Sequence, residues 1–381
     1  MMYVTGDPVE GNRFAGREDI LRQLEELWAT GQQLQSVVLY GHRRMGKTSI
    51  LLNLVNCSNS QFKVVYVNLL RLGNPKNVGE VLMAISDSIS DTIGCPPPND
   101  EGLLNLPYQT FERYFKQVVE TVTKTSRQGL IIALDEFEKI EELIEAEIIP
   151  NDFMGYLRGL VQMNAQAAFA FAGLHTLEEM TADYFQYFFA SVIPIHVGFL
   201  EPTATRQILA NPSLDAVDFS LNYTPDALDL IYHLTAGQPY LVQLVGFQLV
   251  RRYRRYNNPV SEQVFTVTVK DVEALINDSE FYQRGRYYFN NVWGQAARGT
   301  YGQQAILKVL APYPNGLIIE PLKMKLAELF RELGLAILEE KQLEEALETL
   351  KRHDVIQQKG ESWQLIIELF RRWMLLHLID Y

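Results

Sequence analysis

At 381 residues the chain is too long for one compact hydrophobic core, so two or three domains are expected. Apolar residues at 47% and charged residues at 21% exclude a disordered or collagen-like chain, and a net charge of −12 works against non-specific attraction to nucleic-acid backbones or anionic lipid. The only cysteines, Cys57 and Cys95, offer neither a disulfide framework nor metal-ligand spacing, which fits a reducing cytoplasm.

The opening MMYVTGDPVEGN has no basic region followed by an apolar stretch, so no secretory signal is expected, and its doubled methionine leaves room for a longer parent chain. No segment reaches the roughly eighteen uninterrupted apolar residues of a membrane-spanning helix. Residues 17–28 space Ile20, Leu21, Leu24, Leu27 and Trp28 as one helical face. VVLY (37–40) is a short buried strand, followed by a glycine-bearing loop and the helix-like TSILLNLV. KVVYVNLL (63–70) and GLIIALDEF (129–137) have strand length and β-branched composition. AAFAFAG (167–173) and VIPIHVGFL (192–200) are further strand candidates, the first ambiguous because it is rich in alanine. Helical patterns at 78–92 and 108–124 lie between them, and GCPPPNDEG (94–102) is a surface loop. The alternation predicts a parallel three-layer α/β domain over residues 1–200. From about residue 201 the strand runs stop, and 201–275 reads as a small helical domain. Residues 276–381 read as mostly helical and end in a helix, a VIQQ strand, a KGES turn, a WQLII strand and a closing helix, the pattern of a winged helix.

GHRRMGKT (41–48) has the phosphate-loop pattern of Gly, four residues, then Gly-Lys-Thr. Its glycines would let backbone N–H groups curl around a phosphate at the positive end of the following helix. The nucleotide-binding set is Gly41, His42, Arg43, Arg44, Met45, Gly46, Lys47, Thr48 and Ser49. Lys47 would reach the β- and γ-phosphates and the Thr48 hydroxyl would bind Mg²⁺, with Ser49 the next helix residue. A glycine turn with a chance Lys-Thr is the competing reading. The acidic partner is LDEFE at the carboxyl end of a strand, where ligands sit in open α/β sheets. Asp135 would anchor the Mg²⁺, and Glu136 would orient and deprotonate the attacking water. A solvated acidic turn is the alternative there.

NRFAGRED, YGHRRMGKTS, LDEFE, FAG and AGQPYLVQL together resemble the AAA-like ATPases of the STAND class, signal-transduction ATPases with numerous domains. The nearest likeness is to the archaeal-type ATPase branch, itself related to origin-recognition initiators. It covers residues 8–250 by motif and 280–381 by layout. The resemblance implies that Phe14, Gly16 and Arg17, in the box 8–20, lie at the adenine side, and that Pro239 of Gly237-Gln238-Pro239 caps the base from a helical lid. Locally, Gly237 could equally end one helix and Pro239 begin the next. Where relatives place a polar sensor, this chain has Gly173 and Leu174, with His175 and Thr176 one step later. Arg43, Arg44 and Arg206 are candidates for an arginine finger, and none is assigned.

RRYRRY (251–256) combines cations and aromatics as a nucleic-acid surface can, but it also falls at a helix end, where cations complement the dipole. The helix before the wing, LEEALETLKRH, carries three glutamates against one lysine and one arginine, which a base-reading helix should not. The acids of FEKIEELIEAEI (137–148) read as a solvated helix face. The aromatic runs YFQYFFA and YYFNNVW read as packing. The expectation is a cytoplasmic, Mg²⁺-dependent ATPase that uses ATP and ADP as a slow conformational switch, with an unknown protein partner or self-association. A DNA-binding initiator or regulator using the winged helix is the alternative.

Overall fold

The structure is a computed structural model that describes residues 6–29, 33–57, 62–125, 129–173, 187–210, 221–256 and 265–378. It divides into two compact units, one of Pro8–Val197 and the other built on Gly198–Tyr381.

The first unit is organised around five parallel strands: β1 (Val37–Tyr40), β2 (Phe62–Asn68), β3 (Gly129–Asp135), β4 (Ala167–Ala172) and β5 (Ile193–His196). Their order across the sheet is β2-β3-β4-β1-β5. Every residue of β3 is buried, as a parallel strand covered by helices on both faces must be. The alanine-rich run, ambiguous by composition, is β4. Its alternation brings Phe169 and Phe171 to one face, where Phe169 stacks on Phe115 and Phe171 meets Phe137. The Ser36 hydroxyl accepts the Phe169 N–H at 2.9 Å and ties the start of β1 to β4.

Flanking helices begin and end at local signals. The Asn77 side chain accepts the Glu80 amide at the start of Val78–Ile93, and Gly94 ends that helix in the left-handed region at φ 78°. Pro107 opens Pro107–Lys124. The stretch read as a loop at 94–102 runs instead into a short helix, Asp100–Asn105, because the Asn99 side chain caps it by accepting the Gly102 amide.

The second unit contains helices Pro202–Ala210, Pro225–Thr235, Pro239–Tyr256, Val269–Ile276 and Ser279–Arg298. Two strands occur within 201–275, a stretch the sequence reading gave as helical: β6 (Leu221–Tyr223) and β7 (Phe265–Val267) pair in parallel. At three residues each they are too short to show alternation. Beyond them come helix Gln303–Leu310, β8 (Leu317–Ile318), helices Ile319–Glu332 and Glu340–Arg352, a hairpin of β9 (Ile356–Lys359) and β10 (Ser362–Leu365), and helix Glu368–His377. The hairpin occupies the segments read as VIQQ and WQLII. β8 adds to it in the order β8-β10-β9.

Phe289, Trp373 and Phe370 stack at centroid distances of 5.8 and 5.7 Å and join the long helix Ser279–Arg298 to the last one. The first two arginines of the basic run at 251–256 are drawn into intramolecular pairs. Arg251 meets Glu280 at 3.0 Å, and Arg252 lies 4.0 Å from Asp278. Among the described residues no helix is long and apolar enough to cross a membrane.

Candidate nucleotide site

β1 delivers the chain into GHRRMG, where Gly41 (φ 141°), Arg44 (φ 64°) and Gly46 (φ 94°) all take positive φ. Such a run folds the backbone into a tight concave loop. A Cβ at Gly41 would fall 2.5 Å from the Val197 carbonyl oxygen, a backbone collision that no rotamer relieves. At Gly46 the conformation alone demands glycine, since among the described residues a Cβ there would meet no atom within 4 Å. The loop therefore leaves room beside Gly46, as a cradle for a phosphate chain must.

Lys47 opens the helix Lys47–Cys57 and is buried. Its ammonium folds back over the loop, donating to the Gly41 carbonyl at 2.5 Å and the His42 carbonyl at 3.0 Å. Burial pushes its pKa down to about 8, opposed by the carboxylates of Glu138, Glu136 and Asp135 and assisted by Arg43. His42 and Met45 are buried, Arg43 and Arg44 are exposed, and Thr48 is half-buried.

The N-terminal box braces this loop and its helix. Arg17 is buried and donates to the Met45 carbonyl at 3.0 Å, and burial lowers its pKa to about 10. The Ser49 hydroxyl accepts the Val9 N–H at 3.0 Å. Asn53, one turn later, accepts the Gly11 N–H at 2.9 Å and donates to the Val9 carbonyl at 2.9 Å. Phe14 is half-buried just beyond, and Gly16 turns the chain at φ 77°. Asn53 was not singled out from sequence. Its signal is a lone amide at i+4 from Ser49 on the otherwise apolar TSILLNLV helix.

β3 ends at Asp135, whose side chain is almost wholly buried. Its Oδ1 accepts the Glu136 N–H at 3.0 Å and its Oδ2 accepts the Tyr66 hydroxyl at 2.8 Å. Burial and then Asp135 raise the pKa of Tyr66, so the phenol stays a proton donor. Glu136 follows at φ 58°, in a region that glutamate seldom occupies. It is held there by Phe137, whose N–H donates to Ala172 at 2.8 Å and whose fully buried ring lies 4.8 Å from Phe171 and 5.7 Å from Phe188. Gly173 completes the clamp at φ 128°, since a Cβ would come within 2.7 Å of the Phe137 nitrogen and 2.9 Å of the Glu136 Cα. Phe137→Ala is expected to lower unfolding free energy by about 3–5 kcal/mol, measured by urea denaturation.

Burial, and then the neighbouring Asp135, raises the pKa of Glu136. Glu138 corrects the reading of 137–148 as a solvated acidic face. Among the described residues its Oε2 is buried without a hydrogen-bond partner, and burial raises its pKa to about 7. Glu138 Oε2 lies against Gly173, only 2.0 Å from where a Cβ on that glycine would fall, and the charge of Lys47 opposes the rise in its pKa.

The donors fit Mg²⁺ chemistry. The Thr48 hydroxyl and the Asp135 carboxylate are hard oxygens. Among the described residues no group of three or more His, Cys, Asp or Glu side chains gathers to hold a metal alone. Mg²⁺ commonly takes one or two protein oxygens and completes its shell with phosphate and water.

Of the remaining sequence candidates, Leu174, His175 and Thr176 lie outside the described residues. Pro239 belongs to the second unit, where it begins helix Pro239–Tyr256 after Gly237, at φ 75°, whose carbonyl accepts the Leu200 N–H at 2.9 Å. Arg206 pairs with Asp229 on an exposed face of that unit.

A parallel sheet of this order, with Lys47 after β1 and an Asp-Glu pair after β3, defines a P-loop nucleoside triphosphatase. Residues 14–173 match the family model of an ATPase domain predominantly from Archaea, and this part of the chain is an archaeal-type P-loop ATPase domain, an ATP-hydrolysing enzyme. No curated protein matches the sequence. Among solved structures, the Walker-type ATPase of Pyrococcus abyssi is 13% identical with a TM-score of 0.64, over 98% of this chain and 99% of that one. The ORC2 protein of Aeropyrum pernix, in its ADPNP–ADP complexes, is 14% identical with a TM-score of 0.58, over 95% and 94%. At these identities the likeness is one of fold.

Proposed function

We propose that the protein is a Mg²⁺-dependent ATP switch of signalling or regulatory type, whose slow hydrolysis resets its conformation. The observation that carries this reading is the loop after β1, with Gly41, Arg44 and Gly46 at positive φ, open space beside Gly46 and the Lys47 ammonium folded onto the Gly41 and His42 carbonyls.

In this reading the backbone from Gly41 to Ser49 cradles the phosphates, with His42, Arg43, Arg44 and Met45 forming the arc of the loop. Lys47 exchanges its two carbonyl partners for β- and γ-phosphate oxygens. Thr48 and Asp135 would hold Mg²⁺, which neutralises charge on the transferring phosphoryl group. Glu136 accepts a proton from the attacking water, and a carboxylate with a raised pKa is a stronger base for that step. Phe14 and Gly16 face the adenine side. Arg17 serves the same side while bracing the loop at Met45. Residues 201–275 form a lid whose Pro239 caps the base, and 276–381 form a winged helix. The neighbour bound to ADPNP and ADP supports adenine nucleotides as the ligands.

The proposed setting is the cytoplasm, with another protein or a second copy of the chain as partner. DNA is the less favoured partner. Around the helix before the wing, Glu340, Glu344, Glu345 and Glu348 stand against Lys341, Lys351 and Arg352, and Lys351 is already paired with Glu348.

The switch is tested by hydrogen exchange on the full chain, comparing the Glu136→Gln variant loaded with ATP and the wild type loaded with ADP. Peptides from 201–275 are expected to differ in protection. Differences confined to residues 8–197 would reduce the protein to a nucleotide-binding domain without a responding lid.

A further inference from the structure

We propose that Tyr66 is a positioning residue that fixes the Asp135 carboxylate for the Mg²⁺–nucleotide complex. This inference rests on the reading of Asp135 as the acid on the metal side of the site.

β2 and β3 pair in parallel with Asn68 opposite Asp135 and Tyr66 opposite Ala133. Tyr66 and Asn68 therefore share a face of β2, and the Tyr66 hydroxyl reaches diagonally across to Asp135 Oδ2 at 2.8 Å. The Glu136 amide holds Oδ1 at 3.0 Å. Each carboxylate oxygen thus has one fixed donor, and the group cannot turn about its Cβ–Cγ bond without breaking a hydrogen bond. Asp135 is only 1% exposed, so water cannot readily replace a lost donor.

The phenol is held in turn. The Asn68 amide nitrogen lies 3.4 Å from the Tyr66 oxygen, and Asn68 Oδ1 accepts the Leu70 N–H at 2.9 Å. All these donors are neutral. They orient Asp135 without cancelling its charge, as a lysine or arginine partner would, and leave the second lone pair of each oxygen for a cation. Outer partners of this kind govern metal affinity by about 10- to 100-fold.

The test uses the full chain and a fluorescent, non-hydrolysable ATP analogue titrated in EDTA and again in excess Mg²⁺. The readout is the gain in affinity that Mg²⁺ confers. Tyr66→Phe, which keeps the ring, is expected to cut that gain by about 10-fold or more while leaving affinity in EDTA within about two-fold of wild type. Asn68→Ala is expected to move the gain in the same direction by less, and it serves if the first variant does not fold. Asp135→Asn is expected to abolish the gain. If Asp135→Asn loses the gain while Tyr66→Phe and Asn68→Ala keep it, Tyr66 does not position the acid. A loss by Tyr66→Phe that is equal in EDTA and in Mg²⁺ would mark a purely structural role and overturn the proposal as well. If even Asp135→Asn keeps the gain, the metal-site reading fails and takes this inference with it.

Discussion

Glu136→Gln is expected to lower steady phosphate release by about 10²- to 10⁴-fold while ATP stays bound. The exchange keeps the size and shape of the side chain and removes its ability to take a proton. The surrounding clamp does not depend on that carboxylate. Phe137 holds the turn through its ring contacts and its N–H to Ala172, and Gly173 closes over it. A change in hydrolysis therefore reports the chemistry of residue 136 and not a collapsed loop. Phosphate release followed alongside equilibrium binding of ATP separates the two. A variant that lost binding and turnover together would place Glu136 in ligand binding instead.

Lys47→Ala is expected to weaken ATP binding by about 10²-fold and to remove turnover at ordinary ATP concentrations. Hydrogen bonds to a charged group each contribute about 1.5–3 kcal/mol, and two phosphates would lose such a partner. The cost to the fold is small by comparison. Among the described residues the Lys47 ammonium is bonded to the Gly41 and His42 carbonyls alone, while the loop is also braced by Arg17 at Met45 and by the packing of Met45 itself. Titration with a fluorescent ATP analogue, alongside thermal unfolding of the same variant, checks both halves. Undiminished affinity in a folded Lys47→Ala chain would remove the lysine from the site.

Much of this architecture was legible because it is local. GHRRMGKT states its own conformation through two glycines that must take positive φ, and LDEFE closes a strand that is apolar up to its last residue, Asp135. The residues missed depend on partners remote in sequence. Tyr66 matters only through the register of β2 on β3, 69 positions from Asp135. Asn53 matters only because a segment 42 residues earlier lies along its helix. Glu138 reads as one acid among many, and only its place against Gly173 sets it apart. The short strands β6, β7 and β8, of two or three residues, exist by pairing and carry no periodicity of their own.

The measurement that bears most directly on this account is Mg²⁺-dependent phosphate release from ATP by three purified full-length chains: wild type, Lys47→Ala and Glu136→Gln. The account predicts release by the wild type that EDTA stops, and near-background release by both variants, with only Glu136→Gln retaining ATP. Equal release from all three would mean that hydrolysis does not occur at this loop.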